Sequence, residues 1–387
     1  MKIGLFLSSL GLTRGGLESI AAGLAGGLAR QGHEVTAVAG WAPGIALPAD
    51  LAALPIQWVR VPCLPLARWG RTRLAAGLPG RTTAARARPI RWQAQSYLWS
   101  LYWHGGGRRA LAESDVSISF MERETVALSC RRGRAHLSYF SGTVNPRMVA
   151  RDCSTVRVAL SRTLAESEPD VAVDGVVWPG LDAVWLAAPY VVRARAHRLV
   201  FVGRLAPSKG LRELTLIFTA LASTDPALRL TVVGAGPLRG EMAGRLDELG
   251  LSGRVQFLGT VERPAVLKAL QAADLFILPS QDESFGLAAA EAQAAGVPVL
   301  CSDLPGLREA TGGEAHFVAP DDLESWIQSA RQLLWDEDER RRLSKAGRMH
   351  AAQLTWQRAA EALEPYLTLA ATGQGRREST SGQANSE

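Results

Sequence analysis

The chain is poor in cysteine. Four in 387 residues, Cys63, Cys130, Cys153 and Cys301, stand at no paired spacing. That excludes a disulfide framework and suggests no zinc site, so the four read as small apolar side chains in a reducing compartment. Long apolar runs are missing too: none approaches the ~20 residues that span a bilayer. Lys2 with Ile3–Leu7 is too short for a leader and runs into a Gly-rich loop and an amphipathic helix, so it reads as a first buried strand. No Asp-x-Asp stands at a strand end. The one such triplet, Asp336-Glu337-Asp338, lies in the charged run from Asp336 to Arg342, which reads as a solvated helix face; no metal site is expected. No Ser-His-Asp arrangement and no pair of catalytic acids stands out.

At 387 residues the chain exceeds one ordinary core, and two domains of similar size are expected. The net charge of +6 is uneven: residues 1–190 hold 21 basic and 13 acidic side chains, residues 191–387 hold 22 and 24. The first half therefore has the bias to meet something negative.

The most informative stretch runs from Pro279 to Glu291. Leu275-Phe276-Ile277-Leu278, closed by Pro279, suits a parallel strand buried on both faces. Ser284 is placed to cap a helix over Leu287–Ala295, and Gly296-Val297-Pro298 ends it before a strand Val299–Cys301. A helix N-terminus at the carboxyl edge of a strand is an anion site, most often for phosphate. Glu283 precedes that helix and Glu291 lies on it. The pair can serve a sugar ring and a ribose.

Glu283-x7-Glu291, set in Pro-Ser-x-x-Glu-Ser-Phe-Gly and followed by Gly-Val-Pro-Val, resembles the signature of the family-four retaining glycosyltransferases of the GT-B fold. The resemblance implies an α/β fold of two Rossmann-like doubly wound domains facing each other across a cleft. Residues 1–190 form the acceptor-side domain, 191–355 the nucleotide-sugar domain, and 356–371 a helix crossing back to the first domain. Residues 372–387, polar and rich in Gly, Ser and Gln, read as a disordered tail.

The chain order agrees. Strand, Gly-rich turn, helix Leu17–Gln31 and strand Val35–Ala39 make a βαβ opening. Gly15-Gly16 sits in that turn, and the resemblance has its backbone approach the donor, as residues without Cβ allow. Strands are expected at Ser114–Phe120, His136–Phe140 and Val156–Leu160, with helices near Arg91–Trp103 and Arg123–Cys130. Relatives place a histidine after the strand equivalent to Ser114–Phe120. Here Met121-Glu122-Arg123 stands there, leaving His104 and His136 as candidates, each also readable as structural. His33 reads as structural. Trp178-Pro179-Gly180-Leu181-Asp182 resembles the Pro-Asn-Gly-Val-Asp segment of the linker, without the Asn.

In the second half, Gly203-Arg204-Leu205-x3-Lys209-Gly210 follows a strand Arg198–Val202, and relatives use that Arg and Lys on the donor diphosphate. Charge builds on a diphosphate leaving group, and fixed cations can stabilise it without a metal. Both are expected in an open loop. Backbone N–H groups of Phe285, Gly286 and Leu287, beside Ser284, complete the cradle. Gly234-Ala235-Gly236 brings backbone near the nucleotide. By resemblance Glu283 holds the hexose hydroxyls and Glu291 the ribose hydroxyls.

The reading is a cytoplasmic, metal-independent retaining transferase. It moves a hexosyl unit from a nucleotide-diphosphate sugar to a glycan or lipid-linked acceptor. The alternative is a non-transferring GT-B relative, either a sugar-nucleotide binding module or an epimerase. The motifs define a reaction class rather than a sugar.

Residues 51–112 hold ten arginines, no lysine, no acid and five tryptophans, Trp58, Trp69, Trp92, Trp99 and Trp103. The stretch reads as an excursion over the first domain. Arg with Trp suits a membrane interface, and peripheral attachment at the inner face of an anionic membrane is expected. Single-stranded nucleic acid shares that chemistry, but no nucleic-acid fold motif accompanies it; a solvated Arg-rich surface with tryptophans in the core is the plainer alternative.

Overall fold

The computed structural model describes residues 1–11, 15–41, 49–62, 106–120, 135–141, 156–167, 172–187 and 189–373. The helices expected near Arg91–Trp103 and Arg123–Cys130, His104, Met121-Glu122-Arg123 and the tail from 374 onward lie outside the described residues. Of the four cysteines only Cys301 is described; it is a buried free thiol. The chain divides into two compact units. The first comprises Met1–Leu160, Leu164–Gly180 and Trp356–Glu387, the second Ser161–Thr163 and Leu181–Thr355.

The first unit is built on seven strands: β1 (Lys2–Gly11), β2 (Glu34–Trp41), β3 (Gln57–Pro62), β4 (Val116–Ser119), β5 (His136–Phe140), β6 (Val156–Ala159) and β7 (Gly175–Val176). They pair in the order β3-β2-β1-β4-β5-β6-β7, all parallel. Consecutive residues of β1, Leu5, Phe6 and Leu7, are all buried, as a parallel strand covered on both faces requires. The helices are α1 (Gly16–Arg30), α2 (Ala49–Ala52), α3 (Gly106–Glu113), α4 (Arg162–Ser167), whose first residues belong to the second unit, and the last of the chain, α13 (Trp356–Thr372).

β3 falls inside the stretch read from sequence as an excursion. Val59 and Val61 face inward and join Phe6, Val38, Ala110 and Leu111 in one apolar cluster. The Arg60 side of the same alternation obscured the strand. Trp58 pairs with Ala37 in register, so one of the five tryptophans is a sheet residue.

The last helix packs on α1 through glycines. A Cβ at Gly23 would overlap the Trp356 indole, and one at Gly27 would press on the Trp356 carbonyl. His33 Nε2 lies 2.7 Å from Glu364 Oε2, which gives that histidine a structural partner.

The second unit holds β8 (Arg198–Val202), β9 (Arg229–Val233), β10 (Val255–Gly259), β11 (Leu275–Leu278), β12 (Val299–Ser302) and β13 (His316–Val318). The order β10-β9-β8-β11-β12-β13, all parallel, is doubly wound. The helices are α5 (Ala183–Ala187), α6 (Leu211–Ala222), α7 (Arg239–Glu248), α8 (Arg263–Ala272), α9 (Leu287–Ala294), α10 (Pro305–Thr311), α11 (Leu323–Trp335) and α12 (Glu337–Ala351). The α10–β13 step was not read from sequence, because His316–Val318 is too short to show a period. The unit begins at Leu181, ten positions before the expected boundary of 190/191. Leu181 N–H donates to the Leu354 carbonyl at 2.8 Å and Leu181 pairs with Thr355, so the unit's two ends are joined.

The run Asp336–Arg342 departs from expectation at one residue. Asp336 caps α12, and Glu337 and Glu339 pair with Arg341 and Arg342 on its exposed side. Arg340 is instead fully buried and donates to the carbonyls of Leu333, Leu334, Arg193 and Ala194. Buried carbonyls at the end of α11 and in the incoming chain need donors, and a guanidinium serves four.

Gly23→Ala should destabilise the first unit by about 1–3 kcal/mol through overpacking against Trp356. The same change at Gly240 or Gly244, helical glycines with open space at the Cβ position, should stabilise by up to about 1 kcal/mol. Denaturant titration of the three variants checks both signs.

Candidate active site

In a doubly wound sheet, ligands bind beyond the carboxyl ends of the strands where the order reverses. In the second unit that point lies between β8 and β11. The loops leaving these strands carry Arg204 and Lys209 on one side and Glu283 on the other. They are joined through backbone: Gln281 N–H donates to the Ser208 carbonyl at 2.9 Å. Gly210, at φ +64°, lies so near the Pro279 carbonyl that a Cβ would overlap it. Gly306, at the start of α10, lies near enough to the Glu283 carbonyl that a Cβ there would overlap it too.

Lys209 is not in an open loop, contrary to expectation. Its Nζ donates to Glu283 Oε1 at 2.6 Å, and the two side chains are 17% and 13% exposed. Ser280, fully buried, donates from Oγ to the same oxygen at 3.3 Å. The close approach of the two loops leaves the Lys209 ammonium within reach of the carboxylate. Arg204 is exposed, and its guanidinium makes no hydrogen bond or ion pair with a described residue.

Ser284 does not cap the helix. The N-cap of α9 is Gly286, at φ +102°, with no side-chain cap. The chain must turn left-handed to enter α9 beneath Leu307, and only the residue at that turn can occupy the cap position. Phe285 is buried, and Leu287 is the first helical residue. The end of α9 thus presents backbone N–H groups at the β11 edge, beside Lys209 and Glu283.

Glu291 lies further along α9 and is 8% exposed. Its Oε1 is 3.1 Å from Arg263 Nη2, while Arg263 Nε is 3.0 Å from Asp182 Oδ2. The Arg263 guanidinium lies over the Trp185 ring, 5.0 Å from its centroid. Burial pushes the Glu291 carboxyl above the usual range, Arg263 pulls it back, and Asp182 adds to the rise. Neither Arg263 nor Trp185 was singled out from sequence; the Asp182 motif and Arg263 lie far apart in the chain.

Gly234 and Gly236 serve the chain itself. Gly234, at φ +130°, accommodates the Gly203 carbonyl and Gly236 that of Leu205, while Leu205 N–H donates to the Ala235 carbonyl at 3.0 Å. These contacts lock the loop after β9 to the one carrying Arg204.

In the first unit, Gly15 is the N-cap of α1 and Gly16 its first residue. Glu18 Oε2 accepts the Gly15 N–H at 2.8 Å, the half of a capping box that a glycine N-cap allows. The turn stands at the equivalent reversal, between β1 and β4. His136 is buried in β5, with its ring nitrogens 2.7 and 2.9 Å from Ser117 Oγ and Ser119 Oγ on β4. Both nitrogens are satisfied inside the sheet, which makes His136 structural.

Cations, an open helix end and two carboxylates in one unit suit a ligand that is anionic at its centre and hydroxylated at both ends. The architecture is that of the GT-B glycosyltransferases. Sucrose-phosphate synthase from Thermosynechococcus elongatus superposes over 96% of this chain and 99% of its own with a TM-score of 0.72 at 19% identity. HepE of Anabaena, solved in complex with UDP-glucose, does so over 95% and 99% with a TM-score of 0.70 at 17% identity. Residues 191–350 match the family described as glycosyl transferases group 1. D-inositol 3-phosphate glycosyltransferase of Nocardia farcinica is 39% identical over 176 residues, covering 43% of this chain and 39% of that protein. The chain spans about half the length, or less, of the curated relatives it matches.

The Lys209–Glu283 pair should show in a double-mutant cycle. Lys209→Met and Glu283→Gln, alone and together, should give a coupling of about 1–3 kcal/mol in denaturant titrations, as for contacting groups largely removed from water. A coupling near zero would show that the pair does not form in solution.

Proposed function

We propose that the protein is a retaining, metal-independent glycosyltransferase that moves a hexosyl unit from a nucleotide-diphosphate sugar to a glycan or lipid-linked acceptor. The observation that carries this reading is the gathering of Arg204, Lys209, Glu283 and the α9 N-terminus at the β8–β11 reversal, with Glu291 on the same helix. The relatives' names support transfer, and the UDP-glucose held by HepE supports a nucleotide-sugar donor.

When a donor arrives, its diphosphate replaces Glu283 as the partner of Lys209. Arg204 and the N–H groups at the start of α9 share the remaining charge, and these fixed dipoles stabilise the leaving group as the glycosidic bond breaks. Glu283, released from Lys209, accepts from the sugar hydroxyls, and Glu291 accepts from the ribose. The acceptor attacks the face from which the diphosphate departs, and a donor phosphate oxygen takes its proton, so the anomeric configuration is kept.

A panel of sugar nucleotides tests this, with nucleotide release followed with and without acceptor and with a chelator. Arg204→Ala and Lys209→Ala should each lower turnover about 10²-fold, and the chelator should change nothing. Near-normal activity in Lys209→Ala would remove the diphosphate assignment. Nucleotide release with no transferred sugar would favour an epimerase.

The acceptor side rests on residues 51–112. We propose that they attach the protein to the inner face of an anionic membrane, where a lipid-linked glycan is presented. Among the described residues no helix is long and apolar enough to cross a membrane. Each basic residue near such a surface contributes about 1 kcal/mol. The protein should sediment with anionic but not neutral vesicles, release at high salt, and weaken when Arg86, Arg88 and Arg91 become Glu. No binding to anionic vesicles at low salt would point to a soluble acceptor.

A further inference from the structure

Glu291 has an unusual setting for a group read as a hydroxyl acceptor. Its neighbours on α9, Ala289, Ala290, Ala292 and Ala294, are all fully buried and apolar. Gln293 is spent on the carbonyls of Thr311 and Glu314. One guanidinium reaches Glu291: Arg263, the first residue of α8, contacts Oε1. Oε2 is engaged by no described residue.

Arg263 is itself held on separate sides. Asp182, just before α5, meets its Nε, and the buried Trp185 of α5 lies under its face. Stacking and a fixed carboxylate leave a planar guanidinium little freedom, so it enters the contact with Glu291 already oriented. Other charged groups of the packing elements have partners of their own: His350 Nε2 of α12 lies 3.1 Å from the Ala310 carbonyl. Arg348 of α12 donates to the Leu186 carbonyl, Arg308 of α10 pairs with Asp303, and Glu309 of α10 accepts from the Arg162 and Thr163 N–H groups. Arg263 and Asp182 are therefore the charges that act on Glu291.

We infer that Arg263 is the positioning residue of the nucleotide site, holding the Glu291 carboxylate charged and aimed so that it accepts both hydroxyls of a ribose. The inference rests on the reading of Glu291 as the ribose-binding acid. A vicinal diol offers two O–H donors, and only an ionised carboxylate presents acceptors without a competing proton. Burial opposes that ionised form and Arg263 favours it. The sign follows: without Arg263 the carboxyl stays protonated to higher pH, so binding is lost on the acid side and regained on the alkaline side.

The test is calorimetric binding of uridine diphosphate to the full chain between pH 5.5 and 8.5, with adenosine and guanosine diphosphates run alongside. Arg263→Gln should weaken binding about tenfold near pH 6 and recover most of the loss by pH 8.5, a displacement of about one pH unit. Arg263→Lys should restore most of the acid-side affinity. Glu291→Gln should weaken binding at every pH, and adding Arg263→Gln to it should cost nothing more. Wild-type binding by both Arg263→Gln and Arg263→Met across the range would overturn the inference, as would an equal loss at every pH. Wild-type affinity in Glu291→Gln would instead remove the ribose reading itself, whatever the Arg263 variants do.

Discussion

Lys209 and Glu283 are 74 positions apart, yet their side chains meet at 2.6 Å because β8 and β11 are neighbours in the sheet. That adjacency is the constraint on which the site depends. Right-handed crossovers run outward from β8 in one direction and from β11 in the other, so the loops beyond these two strands diverge and leave room at the edge. The glycines then decide how near those loops come. Gly210 against Pro279 and Gly306 against Glu283 bring backbone to backbone, and the charged side chains are placed by these contacts rather than by long, free stems. The cation and the acid satisfy one another across the two loops.

The environment of Glu291 follows another logic. A carboxylate on a helix of alanines has small neighbours that let other elements approach, and burial results. The remedy comes from outside the helix, through Arg263 on α8, steadied by Asp182 and Trp185 where the chain enters the unit. The stretch resembling a linker motif thus has an electrostatic duty in addition to its place in the chain.

Much of this was legible in the sequence, and the exceptions have physical reasons. β5, β8, β11 and α6 end where their residue patterns say, because Gly or Pro stands close to their ends and β8 and β11 are almost wholly apolar. The Arg204–Lys209 and Glu283–Glu291 spacings placed the edge of the sheet correctly. What sequence could not supply was the pairing of Lys209 with Glu283, which depends on strand order. Nor could it show that Gly286, rather than Ser284, starts α9, which depends on the left-handed turn beneath Leu307. Arg340 inside a charged run was misread for the same kind of reason: its carbonyl partners include Arg193 and Ala194, at the far end of the unit's sequence. β3 was hidden by the arginines around it, which are spaced for a surface while Val59 and Val61 are spaced for a core.

The first unit is discontinuous, and that affects how the chain is made. Its sheet and α1 leave the ribosome early, but the helix that covers Gly23 and Gly27 begins only at Trp356, after the whole of Leu181–Thr355. At the usual 5–20 residues per second this is a wait of roughly 10–35 s. Throughout that interval a smooth, glycine-lined groove on α1 stands uncovered next to a finished parallel sheet. The nascent chain therefore carries a vacancy shaped for an indole and a small-residue helix, and any other amphipathic segment nearby competes for it. Chaperone dependence and co-translational misassembly should concentrate at this groove, and the late docking of α13 is the event that ends both.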